Sequence, residues 1–246
     1  MISGARGIHD TRAAILWDRQ RLYIGYWIEE PDVQADLTER DSLIFRNNDV
    51  ELFIAGRDGY YEFEINALGT IYEVFFVWNA EYGRFDYGTH DATLKMDAEG
   101  AREWNGVGLK THPRGLRTGF WNYDLPGLEW GVHVDGTLND RSDRDRGWTV
   151  ELAIPFSQLR FRQADVITWG LNVGRSLKRD NEEGIWYPRT KADGFRARYK
   201  TTTLGELTGM EGIAPGRNFE MLPYVLPGAT KAEGETNRSL GHMLRL

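Results

Sequence analysis

The chain has 246 residues, no cysteine and a formal net charge of −7. Disulfide bonds, thiolate metal sites and cysteine nucleophiles are therefore excluded, and the negative charge argues against nucleic acid or an anionic membrane surface as partner. The 28 glycines and the 13% of aromatic residues favour a turn-rich β protein. The sequence has no apolar run of about 18 residues, so we expect no direct membrane insertion by a transmembrane helix. Residues 1–7 lack the apolar segment of a signal peptide, so the chain is interpreted as cytosolic or as a fragment without its leader.

The first third of the chain has the pattern of several short strands. Apolar or alternating residues at 13–17 and 22–28 flank the polar turn 18–21, which predicts a hairpin. A strand follows at 50–54, and two more lie within 60–76. Between Tyr61 and Asn66 apolar and polar side chains alternate, so they fall on opposite faces of the sheet. The polar face suits a sugar, whose hydroxyls bind charged and amide groups, and it equally suits an ordinary solvated sheet face.

The rest of the chain adds more strands and an irregular end. Residues 77–130 are rich in aromatics and weakly periodic, which is typical of loops that contact a ligand or cap a sheet. Further strands are predicted at 128–134, 148–154, 166–175 and 204–209, with Trp148 and Trp169 in alternating positions that indicate burial. These strands predict an all-β, antiparallel β-sandwich over residues 1–208. Residues 209–246 have no core pattern and are interpreted as a linker or the truncated start of a following domain.

Catalytic motifs are not found in the sequence. None of the five histidines lies in a nucleophile or zinc-protease motif, and no phosphate-binding loop is present. Glycoside hydrolysis needs a pair of carboxylates, which Glu51, Glu62, Glu64 and Glu73 could supply, although acidic residues are common on sheet surfaces. We therefore expect no hydrolase activity from the chain itself.

Two regions hold residues suited to a ligand. Asp140, Asp143 and Asp145 supply hard oxygen atoms of the type that Ca²⁺ prefers. Their spacing is not that of an EF-hand, and interleaved arginines leave a solvated turn with local ion pairs as the alternative. Trp186 follows a charged loop and precedes Tyr-Pro, so we expect it at a loop rim. There its ring either stacks on the apolar face of a sugar or caps the core.

Six short motifs together resemble a known family. They are Leu22-Tyr23-Ile24-Gly25, Glu30-Pro31-Asp32, Thr38-Glu39-Arg40-Asp41, residues 48–54 (NDVELFI), residues 61–66 (YEFEIN) and residues 147–155 (GWTVELAIP). Their order and spacing resemble the family 9 carbohydrate-binding modules, which are attached to xylanases and other bacterial polysaccharide-degrading proteins. The resemblance implies a β-sandwich of the carbohydrate-binding-module or jelly-roll type and a non-catalytic role in recognising a sugar or polysaccharide end.

The resemblance also implies particular site residues. In this family a sugar end is clamped between two tryptophan rings with help from charged and amide groups, and calcium is bound structurally. Carried over by position, the first ring falls at Phe45, the charged partner at Glu51, the polar position at Asn66 and the second ring at Trp186. Phe45 stands where the family has Trp, which weakens that half of the clamp. With the motifs in register, we expect Glu51 and Asn66 to face a binding cleft.

The tail extends the resemblance to a cellular context. Residues 205–213 and 217–225 look like the junction in bacterial envelope proteins where a module of this kind precedes a predicted outer-membrane β-barrel domain. The resemblance implies an extracytoplasmic location, a carbohydrate ligand and a membrane-barrel domain or partner protein. Two alternatives stay open. One is an envelope interaction domain that has lost sugar binding, and the other is a haem-binding variant with Met96 or a histidine as axial ligand.

Overall fold

The structure is a computed structural model that describes residues 4–55, 59–78, 110–111, 117–120, 125–159, 161–188, 204–215, 224–232 and 235–243. Most of the aromatic-rich stretch 77–130, including Met96, lies outside the described residues. The chain divides into two compact units, Met1–Pro215 and Gly216–Leu246. Among the described residues, no helix has the length and apolar character needed to cross a membrane.

The first unit consists of two antiparallel sheets. Its strands, in chain order, are β1 (Thr11–Trp17), β2 (Arg21–Glu29), β3 (Asp49–Ala55), β4 (Gly59–Asn66), β5 (Ile71–Trp78), β6 (Lys110–Thr111), β7 (Arg117–Phe120), β8 (Glu129–Asp135), β9 (Gly147–Pro155), β10 (Val166–Leu177), β11 (Glu182–Ile185) and β12 (Gly205–Glu211). The four-stranded sheet has the order β1-β2-β9-β8. The eight-stranded sheet has the order β11-β10-β3-β4-β5-β7-β6, and β12 also pairs with β10. The predicted all-β, antiparallel sandwich is confirmed.

The hairpin β1–β2 is the one that the sequence predicts. Asp18 closes its turn, because one carboxylate oxygen accepts the N–H groups of Gln20 and Arg21 at 2.7 and 2.8 Å. The other oxygen accepts the Tyr23 hydroxyl at 2.9 Å. These hydrogen bonds favour the charged form and lower the pKa of the Asp18 carboxyl. The turn sets the register in which Trp17 pairs with Leu22 and the strands then run antiparallel.

The main core lies between the two sheets. Tyr61, Phe63 and Ile65 point into it from β4, as their alternation predicts, and each is at most 4% exposed. Trp148 and Trp169 are also buried there, as predicted. Each large apolar side chain that is fully buried contributes about 1.5–3 kcal/mol to stability. The core therefore holds the two sheets together. It also determines which side chains lie at the edges of the sheets.

The opposite face of the eight-stranded sheet is buried as well, which differs from the expected solvated or cleft-facing surface. Glu62 and Glu64 project from this face of β4, and both are 0% exposed. Phe53, Tyr60 and Phe76 form a second apolar cluster on the same face, with the last two rings stacked at a centroid distance of 5.0 Å. Alternation in sequence places the polar residues on one face, but it does not reveal that other parts of the chain cover that face.

Residues 37–47 supply part of this cover. Ile44 lies in a short 3₁₀ helix (Ile44–Arg46) and belongs to the second apolar cluster. The backbone N–H of Phe45 donates to Oε2 of Glu64 over 2.8 Å, and the side-chain amide of Asn66 donates to the Leu37 carbonyl over 2.8 Å. The segment is thus tied to β4 near both of its ends through one backbone N–H and one backbone carbonyl.

The first unit extends beyond the expected boundary at residue 208. That position lies inside β12, and Met210 and Ile213 are 0% and 3% exposed in the main core. The second unit contains a hairpin of β13 (Tyr224–Ala232) and β14 (Glu235–Met243), which pair antiparallel along their whole length. The Pro- and Gly-rich composition of the tail is therefore compatible with a strand pair, and Pro227 lies within β13.

Candidate ligand-binding site

A break along one edge of β10 positions Trp186. On this edge β10 pairs with β12 up to Leu171 and with β11 from Gly174 onwards. Trp186 follows directly after β11 and therefore lies at the break. Its backbone N–H donates to the Val173 carbonyl over 2.9 Å, in continuation of the β10–β11 pairing. The backbone of this residue is thus held by the sheet although the strand has ended.

The indole of Trp186 lies against a glycine. A Cβ atom on Gly205 would come within 2.3 Å of the ring atom Cζ3 and 2.7 Å of Cη2, so glycine is required for the ring to lie there. The next residue, Tyr187, donates its N–H to the amide oxygen of buried Asn172 over 3.0 Å. Trp186 is nevertheless 55% exposed. The Trp186 ring thus packs against Gly205 and is open to solvent.

Trp186 lines a cleft of about 1260 Å³ on the side of the sandwich where β1 and β10 lie. Residues 4–10 form one of its walls, and the other walls come from β1, β2 and β10 through Ala13, Ile15, Tyr26, Leu171, Val173 and Arg175. β1 is an edge strand whose residues are nearly all exposed, so the two sheets do not close over this side. Pockets for small ligands have volumes of about 300–1,000 Å³, and this cleft is large enough for one.

Polar groups surround the cleft. Glu182 uses both carboxylate oxygens to accept the backbone N–H of Ile8, at 2.9 and 3.2 Å, and so anchors the N-terminal wall. Lys178 lies with its ammonium 3.5 Å from the Glu183 carboxylate. Carboxylates, an ammonium group and an exposed indole thus occur around one opening. This combination offers hydrogen-bond donors, acceptors and an apolar ring face to the same ligand.

A buried ion pair lies behind the cleft. The Glu30 carboxylate is 0% exposed and accepts from the Asn48 amide (2.5 Å), the Trp148 indole (2.8 Å) and the Arg175 guanidinium (3.3 Å). Arg175 also donates to the Thr11 hydroxyl at 3.0 Å. Burial lowers the pKa of Arg175, and the Glu30 charge opposes that effect. The pair joins β10 to the end of β2 and holds a positive charge at the wall of the cleft.

The structure does not bring the four expected sugar-binding residues together. Trp186 lines the cleft, whereas Phe45, Glu51 and Asn66 do not. Glu51 lies on the buried outer face of β3, is 2% exposed and accepts the Ser176 hydroxyl at 3.0 Å. The expectation that Glu51 faces a binding cleft therefore does not hold in the structure, because the cleft lies on the other face of this sheet.

Asn66 has a structural position instead of the expected cleft-facing one. It is 0% exposed, and its amide oxygen accepts the backbone N–H groups of Leu68 and Thr70 at 3.1 and 3.0 Å. Its amide nitrogen donates to the Leu37 carbonyl and to the Asn47 side chain. With four internal hydrogen bonds, the amide closes the β4–β5 turn against the covering segment. Phe45, half-buried in that segment, likewise does not line the cleft.

Three buried carboxylates come together on the outer face of the eight-stranded sheet. Asp49, Glu51 and Glu64 each offer an oxygen atom, and these atoms lie within 4.8 Å of one another. Strand pairing causes this, because Glu51 and Glu64 are direct cross-strand neighbours. The Ser176 hydroxyl and the Phe45 N–H also contact the two glutamates. Three hard oxygen donors at this separation could hold a metal ion such as Ca²⁺.

The aspartates at 140–145 are not brought together in this way. Among the described residues, the group of acidic side chains close enough to share a metal ion is the one on β3 and β4, and it does not include Asp140, Asp143 or Asp145. The Asp145 carboxylate instead accepts the backbone N–H groups of Val33 and Thr137, both at 2.7 Å. It ties two loops together. Asp140, Asp143 and Asp145 as calcium ligands stay a prediction from the sequence.

Three features of the cleft were not singled out from the sequence. Gly205 gives a weak signal, since an isolated glycine in a strand often marks a close approach of another group. The Glu30–Arg175 pair gives none, because the two residues are 145 positions apart and only the fold brings them together. Ile15 and Ala13 look like ordinary strand residues in sequence. They line the cleft because β1 is an edge strand.

Comparisons with known proteins agree with the fold. No family model matches the chain, and no curated protein matches its sequence. A candidate carbohydrate-binding protein from Bacteroides uniformis, solved by crystallography, is 16% identical with a TM-score of 0.53, over 81% of this chain and 78% of its own. This likeness shows a shared fold, so the sequence-based resemblance to carbohydrate-binding modules is confirmed for the fold alone.

Two further solved structures also match the chain. They are of a family 9 carbohydrate-binding module from Caldicellulosiruptor kristjanssonii, in complex with cellotriose and with glucose. Each is 12% identical over 89% of this chain, over 81% and 83% of the module, with TM-scores of 0.44 and 0.45. At this level of similarity they lend no support to a shared site.

Proposed function

We propose that this chain is a non-catalytic carbohydrate-binding module and that the cleft beside Trp186 takes the sugar. The exposed, backbone-held indole at the edge of a cleft with polar surroundings carries this proposal. Its support comes from the geometry of Trp186 on Gly205 and from the fold shared with a candidate carbohydrate-binding protein. Of the four residues expected from the resemblance, Trp186 is retained as a ligand contact.

The proposed binding mode combines a ring with polar groups. A pyranose places its C–H face on the indole of Trp186, and its hydroxyls reach the carboxylate of Glu183 and the ammonium of Lys178. An aromatic contact of this kind is worth about 0.5–1.5 kcal/mol beyond the area that it buries. Because the sheet and Gly205 already hold the ring in place, binding costs little side-chain ordering. The arrangement favours modest affinity with a pre-formed site.

We further propose that the chain has no glycosidase activity of its own. Such an enzyme needs an acid and a base or nucleophile on either side of an accessible glycosidic bond. The acidic residues on β3 and β4 that come close in space, Glu51 and Glu64, are at most 2% exposed. Their burial supports a structural role. An attachment to polysaccharide-degrading or envelope proteins, and a location outside the cytoplasm, stay predictions from the resemblance.

Calcium, which the resemblance implies, fits the buried carboxylates better than the predicted aspartates. Asp49, Glu51 and Glu64 would hold the ion through one oxygen each. Bound there, it would offset the repulsion between three negative charges that strand pairing places side by side. Its role would be structural, since these residues lie under the covering segment and do not line the cleft.

Titration calorimetry against mono- and oligosaccharides, including glucose and cellotriose, tests the proposal. We expect heat of binding with at least one sugar and loss of most of it in Trp186→Ala. The matched control is Trp17→Ala, which removes another exposed tryptophan that does not line the cleft. An absence of binding to every sugar, in a chain that is folded by circular dichroism, would refute the proposal. That result would favour an interaction domain that has lost sugar binding.

A further inference from the structure

A second open tryptophan lies on the outer face of the four-stranded sheet. On β2 the buried residues Ile24 and Tyr26 alternate with Tyr23, Gly25 and Trp27, which therefore face outwards. Strand pairing extends these three positions into rows across the sheet. The rows are Leu16, Tyr23, Ala153 and Glu129; then Ala14, Gly25, Glu151 and Gly131; then Arg12, Trp27, Thr149 and His133.

The middle row consists mostly of residues with small side chains, and the Trp27 ring lies over it. A Cβ atom on Gly25 would come within 3.2 Å of ring atom Cη2, so the indole leans from its own position towards the middle of the face. Three of the four residues in this row are glycine or alanine. The Arg12 guanidinium lies 5.9 Å from the ring centroid and helps to orient the ring. Trp27 is 44% exposed.

Tyr23 provides a second ring at a fixed place on the same face. Its hydroxyl donates to the Asp18 carboxylate at 2.9 Å, and it is 37% exposed. Tyr23 lies two residues from Gly25, which corresponds to about 7 Å along a strand. Trp27 lies four residues from Tyr23, about 13 Å along a strand, and its ring leans back towards Gly25. The two ring surfaces therefore lie between about 7 and 13 Å apart along β2, a spacing that suits sugar units of one chain.

The groups around the rings complement a neutral sugar. Arg12 can donate hydrogen bonds, Glu151 can accept them, and Thr149 can do both. Charges of both signs lie on the face, so it does not select a strongly charged ligand. Flat rings, low relief and mixed hydrogen-bonding groups match the face of a sugar chain, which carries C–H groups and hydroxyls side by side.

We infer that this face, defined by Tyr23, Gly25 and Trp27, is a second carbohydrate-binding site that takes the flat side of a polysaccharide chain. The inference rests on the proposed function, because it assumes a protein that already binds sugar at Trp186. With one site for a sugar in the cleft and one for a chain surface, the two would act together on an extended polysaccharide.

Sedimentation of the protein with insoluble cellulose, xylan and chitin tests the inference. The variants are Trp27→Ala, Trp27→Phe, which keeps a ring, and Trp186→Ala, with Trp17→Ala as control. Trp17 pairs with buried Leu22 and so does not belong to the outward row. Thermal unfolding of each variant establishes that it is folded. Calorimetry with soluble oligosaccharides runs in parallel and reports on the cleft.

We expect Trp27→Ala to weaken binding to at least one of the polysaccharides about three- to tenfold, the loss of one ring contact, with Trp27→Phe intermediate. Soluble sugars should bind Trp27→Ala as they bind the unaltered chain. Equal sedimentation of Trp27→Ala and the control would overturn the second site and leave the cleft intact. Binding of soluble sugars without binding to any of the three polysaccharides would also overturn it. Absence of both kinds of binding would overturn the proposed function as well.

Discussion

Gly205→Ala is the substitution that tests most sharply how the cleft is built. The new Cβ atom would lie 2.3 Å from Cζ3 of Trp186. Carbon atoms in contact are normally about 3.5–4.0 Å apart, so the ring must move by about 1.2 Å or more. Such a shift removes much of a stacking contact worth about 0.5–1.5 kcal/mol, and we expect sugar affinity to fall roughly two- to tenfold.

We expect Gly205→Ala to weaken sugar binding without lowering the free energy of unfolding. Replacing Gly by Ala in an extended strand restricts the unfolded chain and on its own stabilises by about 0.4–1 kcal/mol. Urea unfolding should therefore show little net loss while calorimetry shows weaker binding. A double-mutant cycle identifies the cause, since Gly205→Ala should have no further effect once Trp186→Ala has removed the ring. Unchanged affinity in Gly205→Ala, or an equal loss in both backgrounds, would show that Gly205 does not position the Trp186 ring for binding.

Three further predictions concern buried charges. Glu30→Gln leaves the Arg175 guanidinium buried without its counter-charge, and urea unfolding should show a loss of about 3–5 kcal/mol; a loss below 1 kcal/mol would contradict the role of the pair. Asp145→Ala removes the acceptor of two backbone N–H groups and should destabilise by about 2–4 kcal/mol without changing sugar affinity, as read from urea unfolding and calorimetry. Ca²⁺ at a hundred times its dissociation constant should add about 2.7 kcal/mol to the unfolding free energy, and Glu64→Gln should abolish the effect. Identical thermal unfolding in Ca²⁺ and in EDTA would contradict a calcium ion at the buried carboxylates.

The sequence predicts what depends on local periodicity. Tyr61, Phe63 and Ile65 recur every second residue, and burial of one sheet face follows directly from that spacing. Trp148 and Trp169 are buried for the same reason. The hairpin at Asp18 follows from a short polar turn between two apolar runs. Each of these features is decided within about ten residues, so no knowledge of distant contacts is needed.

The candidate site depends on contacts between distant residues, and sequence predicts it less well. Asn66 and Glu51 lie on a polar sheet face, but residues 37–47 and other segments cover that face, and nothing in the alternation reveals a cover. Asp145 has the oxygen atoms of a calcium ligand, yet its carboxylate turns towards two backbone N–H groups. Spacing along the chain gives the type of donor and does not give the direction in which it points.

The proposed function requires sugar to bind on Trp186 in the cleft. An NMR titration of the isotope-labelled chain with a sugar that gives heat of binding tests this most directly, with the indole N–H of Trp186 assigned from a Trp186→Phe variant. We expect the largest shifts at that indole and at the backbone of Lys178 and Glu183. Shifts centred on Phe45 and Glu51, with Trp186 unmoved, would contradict the claim.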